Sequence, residues 1–113
     1  MDAAMIVTWR GTIAGREEKA LKYAADVMEF WGRRASEGRS SQPEIFMFED
    51  GSGIWMVKGD RDDLIAIHDT DEAQLLTVKG ELLLDHFHLE FAYAGQSAAA
   101  QLELFGQAVR SVL

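Results

Sequence analysis

The sequence predicts an α+β fold in the order strand–helix–strand–strand–helix–strand. Three observations lead there. Ile45-Phe46-Met47-Phe48 and Ile54-Trp55-Met56-Val57 are two β-forming runs joined by Glu49-Asp50-Gly51-Ser52-Gly53, the composition of a hairpin turn. A long amphipathic pattern preceded by a short β-forming run lies before that hairpin, and a further helical stretch followed by a β-forming run lies after it.

Met5 to Arg10 is the first strand, broken by Gly11-Thr12-Ile13-Ala14-Gly15. Arg16 to Arg34 reads as a helix. Ala20, Leu21, Ala24, Val27, Met28 and Trp31 recur at helical spacing and form its apolar stripe. Tyr23 and Phe30, a heptad apart, flank that stripe and are expected to touch something beyond the local core. Gly38 is the stop signal. The polar loop Arg39–Pro43 leads to the hairpin, which ends at Lys58-Gly59-Asp60. Asp62 to His68 reads as a short helix. Asp69 or Thr70 caps the next one, with Asp71 and Glu72 in its first turn, Ala73, Leu76 and Leu83 as its apolar residues, and Gly80 as a weak point. His86 to Tyr93 is the last strand. Ser97 caps a C-terminal helix striped by Leu102, Phe105, Val109 and Val112. The 113 residues make one domain by length, with a core over about 5–95 and a terminal helix over about 97–113.

Strand side chains alternate between two faces. One set, Val7, Trp9, Phe46, Phe48, Trp55, Val57, Phe87, Leu89, Phe91 and Tyr93, is apolar or aromatic throughout and is expected to face the helices. The other is mixed: Ile6, Thr8, Arg10, Ile45, Met47, Glu49, Ile54, Met56, Lys58, His86, His88 and Glu90. It is too apolar to be left in water and too charged for a dry core. A second copy of the sheet covers such a face on both chains at once, which predicts a homodimer.

Composition excludes several classes. There is no cysteine, so disulfides and thiolate chemistry are absent. A net charge of −8 disfavours nucleic acid and anionic membrane surfaces as partners. The first residues carry no basic stretch followed by an apolar run, and no segment is long and apolar enough to span a bilayer. The chain is read as soluble and cytoplasmic. No phosphate-loop glycine pattern and no nucleophile elbow occur.

The constellation closest to chemistry is His86-x-His88-x-Glu90, whose side chains would share one face of a strand. Two His and a carboxylate suit Zn, Fe or Mn. Residues two apart on a strand sit roughly 6.5–7 Å apart, though, so His86 and Glu90 cannot both reach one ion without a ligand from elsewhere. The competing reading is a polar row at an interface or pocket wall, and no metal or cofactor is expected. Arg10, Lys58 and Glu90 on neighbouring strands make either a carboxylate-binding group or a cross-strand charge network. Met47 and Met56 on the mixed face suit an adaptable pocket or interface. His68-Asp69 has no nucleophile beside it and reads as a helix-end His followed by a cap.

The element order, the Gly15-Arg16-Glu17 entry to the first helix, the Gly51-x-Gly53 hairpin and the Val57-Lys58-Gly59 exit resemble the dimeric α/β-barrel superfamily of ferredoxin-like proteins. The small uncharacterised members related to the YCII-like group are the nearest likeness. The resemblance implies a four-stranded antiparallel sheet with helices on one face, to which this chain adds a C-terminal helix. Superfamily members include monooxygenases, isomerases and decolorising peroxidases, and others of no known activity. The YCII-related pattern carries a His in the first helix, whereas all three His here lie at or after His68.

Three functions follow as expectations. The first is a homodimer that binds a small organic ligand between the open sheet face and its partner, through Arg10, Met47, Met56, Lys58, His88 and Glu90. The second is an enzyme of monooxygenase or isomerase type using His86 or His88. The third is a structural or regulatory protein with Tyr23, Phe30 and the C-terminal helix as its contact surface.

Overall fold

The computed structural model describes residues 1–113. In chain order the elements are β1 (Ala3–Trp9), β2 (Gly11–Thr12), α1 (Glu17–Ser36), β3 (Glu44–Met47), β4 (Gly53–Gly59), α2 (Arg61–His68), α3 (Asp71–Leu83), β5 (Leu84–Asp85), β6 (His88–Tyr93) and α4 (Gly95–Val112). Strands β3-β4-β1-β6 form one sheet with every neighbouring pair antiparallel, and β2 and β5 form a small ladder of their own. This is the ferredoxin-like arrangement, with the two-residue ladder and α4 as additions.

β1 is the central strand of the sheet. Ala3, Met5, Val7 and Trp9 on one of its faces are all buried. They meet Tyr23, Val27, Phe30 and Trp31 of α1, Leu64 and Ile67 of α2, and Ala73 of α3 in one core. Trp55 and Val57 of β4 complete the helix-facing side. Their cross-strand partners on β1 are Val7 and Met5.

Local chemistry sets the element ends. Thr70 caps α3, its Oγ1 accepting the Ala73 N–H at 3.4 Å. α1 stops where Gly38 turns left-handed (φ 74°), with Gly38 N–H donating to Ala35 O and Arg39 N–H to Arg34 O. In the hairpin turn, Asp50 accepts both the N–H and the hydroxyl of Ser52, at 2.9 and 2.6 Å, while Gly51 sits at φ 88°.

Four sequence expectations are corrected. The stripe on α1 is rotated: Tyr23 and Phe30 are core residues, 5% and 1% exposed, while Leu21 is 73% exposed. Burying the large aromatics removes more area from water than burying the Ala-rich side of the helix. Tyr23 and Phe30 are therefore not a contact surface. Second, β3 has the opposite phase. It pairs Phe46 with Ile54, Ile45 with Trp55 and Met47 with Gly53, so Ile45 and Met47 face the helix side and Phe46 the open side. The five-residue loop 48–52 decides this, because an odd loop pairs odd positions with odd. Third, the last strand begins at His88, and His86 lies outside it at φ 53°. Fourth, α4 begins at Gly95, so Ser97 lies inside its first turn; its hydroxyl accepts the Ala94 N–H at 3.2 Å.

Gly80 was read as a weak point of α3, yet the packing requires it. A Cβ there would lie 2.5 Å from the Phe87 ring and 2.6 Å from the Tyr23 hydroxyl. Gly32 in α1 has only the Gln42 side chain near it, at 4.0 Å. Gly80→Ala is expected to destabilise the protein by about 1–3 kcal/mol through overpacking. Gly32→Ala is expected to stabilise it by roughly 0.5–1 kcal/mol through helix propensity. Urea unfolding of the pair checks this, and equal effects would refute the packing account of Gly80.

Candidate functional site

The rotation of α1 leaves a hollow. Ala20 and Ala24 are too small to reach the sheet, and Leu21 and Met28 stand at its sides. Below them lie Trp9, Trp55, Ile45 and Met47, with Leu84 at one end. Together they enclose a cavity of about 430 Å³ open on one side. Eleven of its 13 lining residues are hydrophobic, and Thr12 and Glu17 supply polar groups near the rim. Its volume lies within the range of small-molecule sites, about 300–1,000 Å³.

Trp9 and Trp55 are held firmly. The Trp9 ring lies over Gly53, where a Cβ would come within 2.3 Å of a ring carbon, so the hairpin glycine makes room for it. Trp55 packs against Trp31 with ring centroids 6.3 Å apart, and Trp31 is backed edge-on by Phe30 at 5.4 Å. Trp55 Nε1 is the one buried side-chain polar atom without a hydrogen-bond partner. The Tyr23 hydroxyl is its polar neighbour, near enough to feel the N–H but outside hydrogen-bond geometry. Burial pushes the Tyr23 phenol well above its ordinary value of 10.0, with the Trp55 N–H opposing.

A second concavity lies on the other side of α1, lined by Arg16, Lys19, Lys22 and Lys79 among others. Two of its cations are already engaged: Lys22 with Asp26 at 3.2 Å, and the Arg16 guanidinium with the Leu82 carbonyl.

The residues singled out in the sequence do not form one group. Met47 lines the apolar cavity on the helix side, opposite the face expected for it. Met56 is on the open face across from Ile6, and Lys58 is across from Ala4. Arg10 lies just beyond the far end of β1, where its N–H donates to Asp85 O at 2.9 Å. Six residues of extended chain, roughly 20 Å, separate it from the level of Lys58, so Arg10, Lys58 and Glu90 do not make one carboxylate site. Arg10 instead shares a shallow, exposed depression with Thr8, His86 and His88. His88 Nε2 and Glu90 Oε1 are 3.0 Å apart, both side chains more than 60% exposed. His86 turns away to Asp85, with Nδ1 and Oδ1 at 3.1 Å. No three His, Asp or Glu side chains converge as metal ligands. The cavity's own signal in the sequence was the pair of alanines, Ala20 and Ala24, inside an otherwise large stripe. By spacing they belong to the apolar stripe of the helix, and their small size alone marks the hollow.

No family model matches the sequence, and no curated protein does. Solved structures match the fold. PA3566 from Pseudomonas aeruginosa superposes with a TM-score of 0.60 at 15% identity, over 83% of this chain and 94% of that one. A dimeric protein of unknown function and ferredoxin-like fold from Bacteroides fragilis gives 0.53 at 8% identity, over 81% and 96%. SnoaB, a cofactor-independent oxygenase from Streptomyces nogalater, gives 0.56 at 11% identity, over 84% and 93%. These likenesses establish the ferredoxin-like fold. They span the neighbours almost end to end and leave about a sixth of this chain unmatched, a length like that of α4.

The Tyr23 environment has a pH signature. Because its folded-state value is raised, folding favours the protonated phenol. That stabilisation is complete below about pH 10 and is lost as pH rises through the unfolded value toward the folded one. Between pH 8 and pH 11 the wild type is expected to lose about 1 kcal/mol more stability than Tyr23→Phe, as read by urea unfolding at the two pH values. Equal losses would mean that Tyr23 titrates in the folded protein as it does in water.

Proposed function

We propose that this protein binds a small, largely apolar and planar organic molecule in the cavity between α1 and the sheet, and that it does so as a homodimer formed through the open sheet face. The observation that carries the binding reading is the cavity itself: about 430 Å³, walled by Trp9, Trp55 and Met28, and nearly free of charge. Flat apolar rings suit such walls, and thioethers adapt to their outline. The ligand site thus moves from the open face to the opposite side of the same sheet. Titration with 2-naphthol is expected to shift the indole N–H resonances of Trp9 and Trp55 and to leave Trp31 less affected. Ala24→Trp, which fills the hollow, is expected to abolish those shifts. Shifts that persist in the filled variant would sink the proposal.

A second reading treats the cavity as an oxygenase site. It is favoured by the fold shared with SnoaB, and by the apolar lining of the cavity, which offers a reactive intermediate few polar partners. Oxygen uptake with polyhydroxylated naphthalenes, lost in Ala24→Trp, is the expected result. Uptake unchanged by that variant would remove the cavity from the reaction. Neither His86 nor His88 lines this cavity: His88 is on the open side of the sheet, and His86 lies outside the last strand.

The dimer rests on the open face. Ile6, Met56, Ile54, Phe46, Ala4 and Ala92 share one side of the sheet by register. Glu44, Lys58, His88 and Glu90 flank them. A central apolar strip with charged edges is the composition of a stable interface, and the Bacteroides fragilis neighbour is described as dimeric. Met56→Glu is expected to weaken dimerisation through this face at least about tenfold while keeping the helical and strand content. Sedimentation across a concentration series and circular dichroism would read the two. An unchanged association constant would reject the open face as the interface.

A further inference from the structure

We propose that the groove between α1 and α3 binds the diphosphate group of a soluble molecule, at a site separate from the apolar cavity on the other side of α1.

The chain distributes its cations unevenly. It has 11 basic residues against 19 acidic ones, and only four of the basic ones are lysines. Three of those four, Lys19, Lys22 and Lys79, line this one groove of about 680 Å³, together with Arg16. Asp26 is the single acid of the lining. Helical spacing produces the cluster. Arg16, Lys19, Lys22, Tyr23 and Asp26 recur every three or four positions and share one side of α1, and Lys79 adds a cation from α3. The floor is the buried Tyr23 ring. Charges of one sign above a low-dielectric floor focus their field into the cleft.

The pairing of these cations points to the ligand. The Arg16 guanidinium donates to the Leu82 carbonyl, which fixes a positive charge at the end of α3. Lys22 is held by Asp26 at 3.2 Å. Lys19 and Lys79 have no ion-pair partner. Acids are not scarce on these helices: Arg33 is paired with Glu72, and Arg34 with Glu37 and Glu72. The acids closest in sequence are turned elsewhere. Glu17 accepts the Gly15 N–H and lines the apolar cavity, and Glu18 and Glu81 are absent from the lining of the groove. The two unpaired cations come from different helices, so a ligand that engages both carries charge on two linked groups. Lysine offers a compact point charge without the planar fork that matches a carboxylate, which favours the concentrated charge of phosphate. Glu29 and Glu72 line the next depression along the same two helices and confine an anion to the end near Arg16. A net charge of −8 opposes approach to an anionic bilayer, so the diphosphate belongs to a soluble molecule.

Pyrophosphate is the probe, titrated at physiological salt and read by calorimetry and by amide resonances. Saturable binding is expected with a Kd at or below about 1 mM. The shifts should fall on residues 15–26 and 79–83, and binding should weaken as salt is raised. Lys19→Ala/Lys79→Ala is expected to weaken binding at least about tenfold. Both side chains are exposed and Ala is the best helix former, so this variant keeps the fold. Arg39→Ala/Arg110→Ala removes the same charge elsewhere and is expected to leave the Kd within about twofold. Asp26→Asn, which takes away the one carboxylate and releases Lys22, is expected to tighten binding at least about twofold. Lack of saturation, or shifts confined to other parts of the chain, overturns the proposal. Equal weakening by the two double variants would mean that total charge, not the groove, attracts the anion. Malonate binding as tightly as pyrophosphate would reject the phosphate class. Co-sedimentation with phosphatidylserine vesicles, lost in Lys19→Ala/Lys79→Ala, would give the groove to a lipid headgroup and reject the soluble ligand.

Discussion

The architecture depends on β1 being paired on both sides. With β4 on one edge and β6 on the other, its alternation is imposed on both neighbours: Val7 fixes Trp55 and Leu89 on the helix side, and Ile6 fixes Met56 and Glu90 on the open side. A slip of one residue would exchange the two faces of the whole sheet. The contrast along β1 itself opposes such a slip. Val7 is fully buried, whereas Ile6 and Thr8 remain partly accessible. The helices, the cavity and the open face all inherit their positions from that choice.

Much of this was legible in the sequence because strand and helix periods differ. The runs around Met5–Arg10, Ile45–Phe48 and Ile54–Val57, the hairpin turn and the helices near 16–34, 62–68 and from about 70 all emerge as read, within a few residues at their ends. What failed did so for definable reasons. The phase of β3 depends on the parity of the turn, and composition does not encode where pairing resumes after Gly51. The face of α1 depends on which of two adjacent apolar stripes meets the sheet, and both contain Val27 and Trp31. The alternation of His88 and Glu90, continued back along the sequence, places His86 in the strand as well. The left-handed turn at His86 ends that alternation and leaves His86 paired with Asp85. The site was less legible than the fold. A cavity is a deficit of volume, and a sequence displays only the residues present.

That deficit is consistent across levels. α1 directs its large aromatics toward β1 and α3, and Gly80 clears the place where Tyr23 and Phe87 meet α3. The same rotation turns Ala20 and Ala24 over Trp9 and Trp55, where larger residues would close the hollow. Interiors normally close such space, since an empty apolar volume forfeits packing with every atom that lines it. Here the two Trp rings are fixed from behind, by Gly53 and by Trp31, so they cannot collapse into it. A preformed apolar cavity, open on one side and walled by fixed rings, next to a well-packed core is the feature that sets this region apart from a packing defect.

The charge distribution explains why the apolar surfaces lie where they do. Nineteen acidic residues against 11 basic ones make unselected contacts between copies repulsive. Self-association of such a chain is favoured only at surfaces where acidic groups are absent or matched. The open face has a neutral centre with Lys58 and His88 near Glu44 and Glu90. α4 has one charge of each sign. The cavity, by contrast, has Glu17 as the single charged residue of its lining. That carboxylate opposes an anionic ligand, while a neutral small molecule meets no such barrier.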